Sequence, residues 1–245
     1  MIHLTGGEIL PSSKQKVKLK VKRALEEIAI FEEEGIDGAI IENHYAHFSI
    51  AFDILQEISK SSPKIKLGVN ILPNEFEIAF DWAGMFKLQF IQSDYVAGNY
   101  SEHVPIKKIN RFYEKYDEYR QQLFLNGVVL GGVWPKYYTP LQGSNLEEDL
   151  KQGMQRADAI VVTGEGTGKE TPLPKIKLFR KIIDDHPLIV GAGLTPQNAY
   201  EQLKIADGAI VGTSLKIRDQ TENKLDRAKI KDLMDVVTAI RKEYT

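Results

Sequence analysis

Cysteine is absent from all 245 residues, which removes disulfides, thiolate nucleophiles and cysteine-held zinc from consideration. No apolar run approaches the length of a membrane span. Neither charge is in excess: 32 basic residues face 34 acidic ones, a net charge of −2. That balance offers no surface suited to nucleic acid or an anionic membrane. The opening MIHLTGGEIL lacks a basic leader and a long apolar stretch, so no secretion signal is expected and the cytoplasm is the expected compartment. No linker composition, low-complexity segment or solenoid-length repeat divides the chain, so residues 1–245 read as one domain.

What is present is an ordinary globular composition, 42% hydrophobic and 27% charged. The stretch PLIVGAGLTPQNAYEQLKIADGAIVGTSLK, Pro187 to Lys216, is the most informative. Leu188-Ile189-Val190 and Ala209-Ile210-Val211 are apolar without alternation, as suits parallel strands buried on both faces. Each ends in glycine followed by a helix start, and Thr195-Pro196 supplies a cap and a first-turn proline. Side by side, Gly191-Ala192-Gly193 and Gly212-Thr213-Ser214 would gather backbone N–H groups around one hollow, the setting in which phosphate is held. Such a pair of loops follows strands 7 and 8 of (β/α)8 barrels, whose usual length is about 250 residues. Tight turns alone would use the same glycines; two adjacent loops with one pattern point to an anion.

The rest of the chain alternates in the same manner. Short apolar runs at Ile2–Leu4, 37–43, 66–72, 88–94, 127–133 and 158–164 alternate with helical stripes, the first run leading into Thr5-Gly6-Gly7. The helices are expected at 16–34, from His47 to Lys60, from an Asn74 cap to Ala83, from about 105 to 125, and at 146–156, 174–184 and 226–244. Asp37, Asp158 and Asp207 each stand between a helix end and an apolar strand, a recurrence that marks successive βα units. The expected fold is α/β, a (β/α)8 TIM barrel with a parallel sheet, rather than an open doubly wound sheet.

In such a barrel the reacting groups sit at the C-terminal strand ends. Those positions hold His3, Glu42 with Asn43, Asn70, Asp94, Lys136 just beyond strand 5, and Glu165 just beyond strand 6. Glu42 would serve as general base or acid, His3 as its proton partner and Asn70 as an orienting donor. A satisfied polar layer over the core would use the same residues. A divalent cation on Glu42, Asp94 and carbonyl oxygens is the one metal they admit, with no compact ligand motif to mark it, and no cofactor is evident. The loop Gly164-Glu165-Gly166-Thr167-Gly168-Lys169 has three residues before Gly-Lys where a P-loop has four, and Glu170 where it has Ser or Thr. It therefore fits a lid, or an added phosphate contact through Gly164 and Gly166, better than a nucleotide site. Trp134, Tyr137 and Tyr138 could stack on a ligand ring; rim packing or a subunit contact is the commoner use. The helix bearing Tyr113, Tyr116 and Tyr119 reads as a packing or dimer face, so a homo-oligomer is one expectation.

Several stretches together resemble the BtpA family, named for a role in photosystem I biogenesis. They are His3-Leu4, DGAIIEN (37–43), GVNIL-x-N (68–74), FIQ (90–92), Pro140-Leu141, ADAIVVTG-x-G-x-G (157–168), and VGAGLTPQN with ADGAIVGTSLK (190–216). The resemblance spans nearly the whole chain and implies a barrel of the ribulose-phosphate-binding type without fixing a reaction. It also implies an arginine where this chain has Gln92, an aspartate where it has Gly132, and Lys-His where it has Lys136-Tyr137. Two functions follow as expectations. One is an enzyme acting by acid–base chemistry, isomerase- or lyase-type, on a small phosphorylated ligand. The other is a non-catalytic barrel that binds such a ligand and assists assembly of another complex.

Overall fold

The computed structural model describes residues 1–4, 14–43, 48–101, 106–124 and 126–244. The Thr5-Gly6-Gly7 turn, the helix start at His47 and the side chain of Tyr113 lie outside the described residues. Strands β1 (Ile2–His3), β2 (Gly38–Glu42), β3 (Lys66–Asn70), β4 (Phe90–Ser93), β5 (Val128–Gly132), β6 (Ala159–Val162), β7 (Leu188–Val190) and β8 (Gly208–Ala209) form one sheet in sequence order. Every pairing is parallel. The helices between them are α1 (Lys14–Glu33), α2 (Phe48–Lys60), α3 (Phe76–Met85), α4 (Ile106–Leu123), α5 (Leu146–Arg156), α6 (Leu173–Ile183) and α7 (Pro196–Leu203). A 3-10 turn, Thr213–Leu215, and α8 (Arg227–Glu243) follow β8. The Met1 amine donates to the Val211 carbonyl at 2.7 Å, bringing the first and last strand ends together in a curled (β/α)8 barrel.

Side chains on a strand face one way at every second residue, and that period divides the barrel interior into layers. Ile40, Val161 and Ile210, with Met1, Phe90, Leu130 and Ile189, form an apolar cluster. The Phe90 ring fills the space over Gly68, where an added Cβ would lie 2.4 Å from it. Two residues further along the same strands come Glu42, Thr163, Gly212, His3, Gln92, Gly132 and Gly191. All seven line one cavity above the apolar layer.

The recurring aspartates act at the opposite, N-terminal ends. Asp158 Oδ2 accepts Val129 N–H of β5 at 2.7 Å and Arg120 of α4 at 2.7 Å, while Arg120 also donates to the Arg156 carbonyl. Asp207 repeats the pattern with Leu188 N–H of β7 and Arg180 of α6, whose Nε donates to the Ile205 carbonyl. Asp37 takes Arg241 of α8 at 2.7 Å. Before β4 the place is filled by Gln89, whose Oε1 accepts Leu67 N–H at 2.8 Å. These ties sit before every even-numbered strand, on the face that serves stability in barrels. A hydrogen bond to a charged group contributes about 1.5–3 kcal/mol.

Two expectations change. Asn74 does not cap a helix: α3 starts at Phe76, with Glu75 at the cap position. Asn74, at φ +68°, instead accepts from Tyr95 N–H and Ser93 Oγ and donates to the Tyr95 carbonyl. Its amide is held by the residues on both sides of Asp94. The second, Tyr138, belongs to the site. Tyr116 agrees with the packing expectation: it lies in the core against Phe76 and Phe80, and its hydroxyl donates to the Arg156 carbonyl.

Candidate functional site

The cavity at the C-terminal strand ends measures about 120 Å³. It brings together His3, Glu42, Asn70, Asp94, Lys136, Gly191, Gly193, Gly212, Thr213 and Ser214. Gly164 and Gly166 are not among its lining residues; from their loop Thr167 and Gly168 line it instead.

Asn70 is the joint of the polar end. Its Nδ2 donates to Glu42 Oε2 at 3.2 Å and to Asp94 Oδ1 at 3.3 Å. His3 Nε2 stands 3.8 Å from Glu42 Oε1. The second oxygen of Asp94 accepts the Tyr138 hydroxyl at 3.0 Å. Burial, then the negative charge of Glu42, push the Asp94 carboxyl above its ordinary value of 3.8, against the pull of the Tyr138 and Asn70 hydrogen bonds. With burial and Glu42 holding the Asp94 carboxyl toward its protonated form, the linked pair can take a proton at one point of a ligand and give one at another. Oδ1 of Asn70 and Oε1 of Gln92 are buried without a hydrogen-bond partner among the described residues. No three His, Asp or Glu side chains among the described residues stand together as metal ligands.

Tyr138 corrects the rim reading of the aromatic loop. Trp134 and Tyr137 take positive φ, +48° and +69°, a backbone that bulky residues seldom adopt. Between them, Lys136 N–H donates to Thr163 Oγ1 at 2.7 Å, and Lys175 Nζ ties the carbonyls of Trp134 and Thr163 together. The turn delivers the Tyr138 ring against Tyr95 and Tyr100, 5.1 and 5.8 Å away by centroid. Trp134 meets the rim expectation, its Nε1 donating to Asp149. Tyr137 is exposed and fastens the glycine loop: its hydroxyl donates to Thr167 Oγ1 and accepts Thr167 N–H. Lys136 Nζ reaches the same Oγ1 at 3.2 Å. No local signal marks Tyr138 in the sequence, because its partner is 44 residues away.

At the other end, the loops after β7 and β8 meet. Among the described residues, no protein group accepts the backbone N–H of Gly193, Gly212, Thr213 or Ser214. Gly193 has φ +66°, and an added Cβ would lie 2.2 Å from the Lys169 carbonyl oxygen, so the glycine loop rests directly on it. Thr171 Oγ1 donates to the Ala192 carbonyl and Gln202 binds the Thr171 carbonyl, fixing that contact. Asn198 accepts Thr195 N–H at 2.8 Å and donates to the Gly193 carbonyl, so the start of α7 is capped and the loop set. Lys169 points outward; its ammonium is 4.0 Å from exposed Glu165. Lys216, at the end of the same motif, is 1% exposed and paired at 2.7 Å with buried Glu27, so it anchors α1 and does not line the cavity. Gly132 also carries the end of β4: a Cβ there would sit 1.8 Å from the Asp94 carbonyl oxygen. This backbone excludes any side chain at 132.

The BtpA family model matches residues 1–239. An uncharacterized protein of Pyrococcus horikoshii, PH1209, is 28% identical over 98% of this chain and 95% of its own. The photosystem I biogenesis protein BtpA of Synechocystis is 23% identical over 89% of this chain and 79% of its own. Phosphoribosyl anthranilate isomerase from Thermus thermophilus shares the fold, with a TM-score of 0.57 at 15% identity over 89% of this chain and 95% of that one. Among the described residues no helix is long and apolar enough to cross a membrane.

Proposed function

The chain belongs to the BtpA family, and from that premise we propose that its cavity binds a small phosphorylated metabolite and acts on it by proton transfer. The reading is carried by one observation. Two carboxyl groups that share the Asn70 amide line the same cavity as the unpaired N–H groups after β7 and β8. The phosphate is assigned to Gly191–Gly193 and Gly212–Ser214, where dipoles of the α7 and 3-10 turn starts add to the N–H donors. Glu42 removes a proton from the carbon chain, with His3 beside it. Asp94, driven toward its protonated form, returns one to a developing oxyanion or leaving group. Asn70 holds the two oxygens apart, and Tyr138 and Asn74 fix Asp94 from behind. Isomerisation and carbon–carbon cleavage both need this pair, and the solved neighbour is by name an isomerase of a phosphoribosyl compound.

The name of the Synechocystis relative favours a second reading, in which the same ligand is bound without turnover while another complex is assembled. A cavity with Glu42 and His3 among its lining residues supports the first. The test is a thermal-shift series with inorganic phosphate and phosphate esters. A ligand at a hundred times its Kd stabilises by about 2.7 kcal/mol, which for this size raises Tm by about 5–10 °C. No shift with any phosphate compound would remove the proposal.

A further inference from the structure

The two ends of the cavity ask for opposite chemistry. Around Gly193 and Gly212 the protein presents backbone N–H groups left without protein acceptors among the described residues. Around Asn70 it presents acceptors: the Glu42 and Asp94 carboxyl oxygens, Asn70 Oδ1 and Gln92 Oε1. The Asn70 amide has only one sensible orientation. Its NH2 faces two carboxyl oxygens, and turning it would set an oxygen against both. Oδ1 is thus a true acceptor, on a residue only 1% exposed. Leaving such an atom unmatched is unfavourable, and Gln92 Oε1 is buried without a partner in the same way.

The two residues that carry these oxygens are neighbours in the sheet and line the same cavity. Asn70 and Gln92 are register partners on β3 and β4, and paired strands run about 4.8 Å apart. Resting on the phosphate reading above, we infer that the ligand is a sugar phosphate whose hydroxyl groups donate to Asn70 Oδ1 and Gln92 Oε1. Closely spaced neutral acceptors suit hydroxyls on adjacent carbons, each of which gives one proton and can still accept. A carboxylate head would set a second negative group beside Glu42 and bring no donor. An ammonium head would match the charge of Glu42, where His3 already stands, and would leave the amide oxygens to compete for what remains. Lys136 lines the same cavity and its charge acts on Asp94, while its ammonium is hydrogen-bonded to Thr167 Oγ1.

The experiment is calorimetry on the wild-type protein with four kinds of probe. They are inorganic phosphate, a set of pentose and hexose phosphates, phosphoglycolate, and phosphoethanolamine. At least one sugar phosphate is expected to bind about tenfold or more tighter than inorganic phosphate, the gain from about two satisfied acceptors. Phosphoglycolate should bind more weakly than that sugar phosphate. In Gln92→Leu the advantage of the sugar phosphate should fall at least threefold, with inorganic phosphate affinity retained. The wild-type series stands by itself if that variant does not fold. Sugar phosphates no tighter than inorganic phosphate overturn the inference while leaving the phosphate reading intact. Phosphoglycolate or phosphoethanolamine binding tightest overturns it likewise. Silence from every probe, inorganic phosphate included, sinks the phosphate reading and this inference with it.

Discussion

Replacing Gly193 by alanine tests how the anion loop is built. The residue sits at φ +66°, and an added Cβ would fall 2.2 Å from the Lys169 carbonyl oxygen and 2.4 Å from Glu170 Cα. Both neighbours are backbone, so neither can yield by changing a rotamer. The left-handed conformation costs a non-glycine residue about 1–2 kcal/mol, and forced overpacking typically about 1–3 kcal/mol more. The sum, about 2–5 kcal/mol, lowers Tm by about 4–20 °C for a chain of this size. The two contributions can be separated. Gly35 and Gly143 also have positive φ, +75° and +89°, with nothing within 4 Å of their Cβ positions. Alanine at either should show the conformational cost alone, a drop of about 2–8 °C. Differential scanning calorimetry of the three variants gives the comparison. Gly193→Ala melting no lower than Gly35→Ala and Gly143→Ala would refute the claim that the 164–171 loop bears on Gly193. On the reading developed here, Gly193→Ala also loses phosphate binding because the loop is displaced. The effect is therefore not confined to the ligand, as a purely sequence-based expectation would have it.

Glu42→Gln should reduce turnover by about 10²–10⁴, the usual share of one general acid–base group, with little change in the Kd of the same phosphorylated ligand; unaltered turnover would take Glu42 out of the mechanism. Asp94→Asn should alter the pH dependence of stability. Because the folded carboxyl has its pKa raised above the ordinary 3.8, the folded state holds the proton longer, and stability falls as pH rises from that value through the raised one. Tm curves for wild type and Asp94→Asn should therefore diverge in the variant's favour as pH rises from 4 toward neutrality, and parallel curves would contradict the assignment. Lys216→Ala should destabilise by about 3–5 kcal/mol, as expected when one partner of a buried ion pair is removed and Glu27 is left behind; a loss below about 1 kcal/mol by urea denaturation would show that Arg23, 3.2 Å from Glu27, suffices.

Much of the barrel was legible because strands and helices carry different periods. The every-second-residue rule, applied from Ile40, Val161 and Ile210, leads to Glu42, Thr163 and Gly212 without further help. Glycine pairs after two unbroken apolar runs likewise marked the loops at Gly191 and Gly212. The misses share a cause, which is that a partner distant in sequence decided the outcome. Asn74 has the composition of a helix cap, but the Tyr95 backbone and the Ser93 hydroxyl together offer it three hydrogen bonds instead. Tyr138 reaches Asp94 only because Trp134 and Tyr137 adopt backbone angles that their residue types do not announce. Gly164 and Gly166 look like phosphate ligands by type, yet the loop presents Thr167 and Gly168 once Tyr137 has seized it. The aspartates at 37, 158 and 207 were visible as punctuation, while the arginines that give them work lie a helix or a whole chain away.

Those aspartate ties are not equal in the order of folding. Arg120 and Arg180 find their aspartates across 38 and 27 residues, whereas Arg241 must find Asp37 across 204. Loop-closure entropy alone sets the last tie about 1.5–2 kcal/mol behind the others. It is also the most exposed, with Arg241 54% and Asp37 76% open to solvent, and so the most weakened by salt. Joining α8, which follows β8, to the start of β2, it spans the edge between β1 and β8, and that edge is expected to close last and open first. His3 and Gly212 stand on the two sides of that edge, the one beside Glu42 and the other among the anion donors. Hydrogen exchange that breaches the barrel locally should thus begin at the cavity wall, where a ligand touching both sides would hold the seam shut.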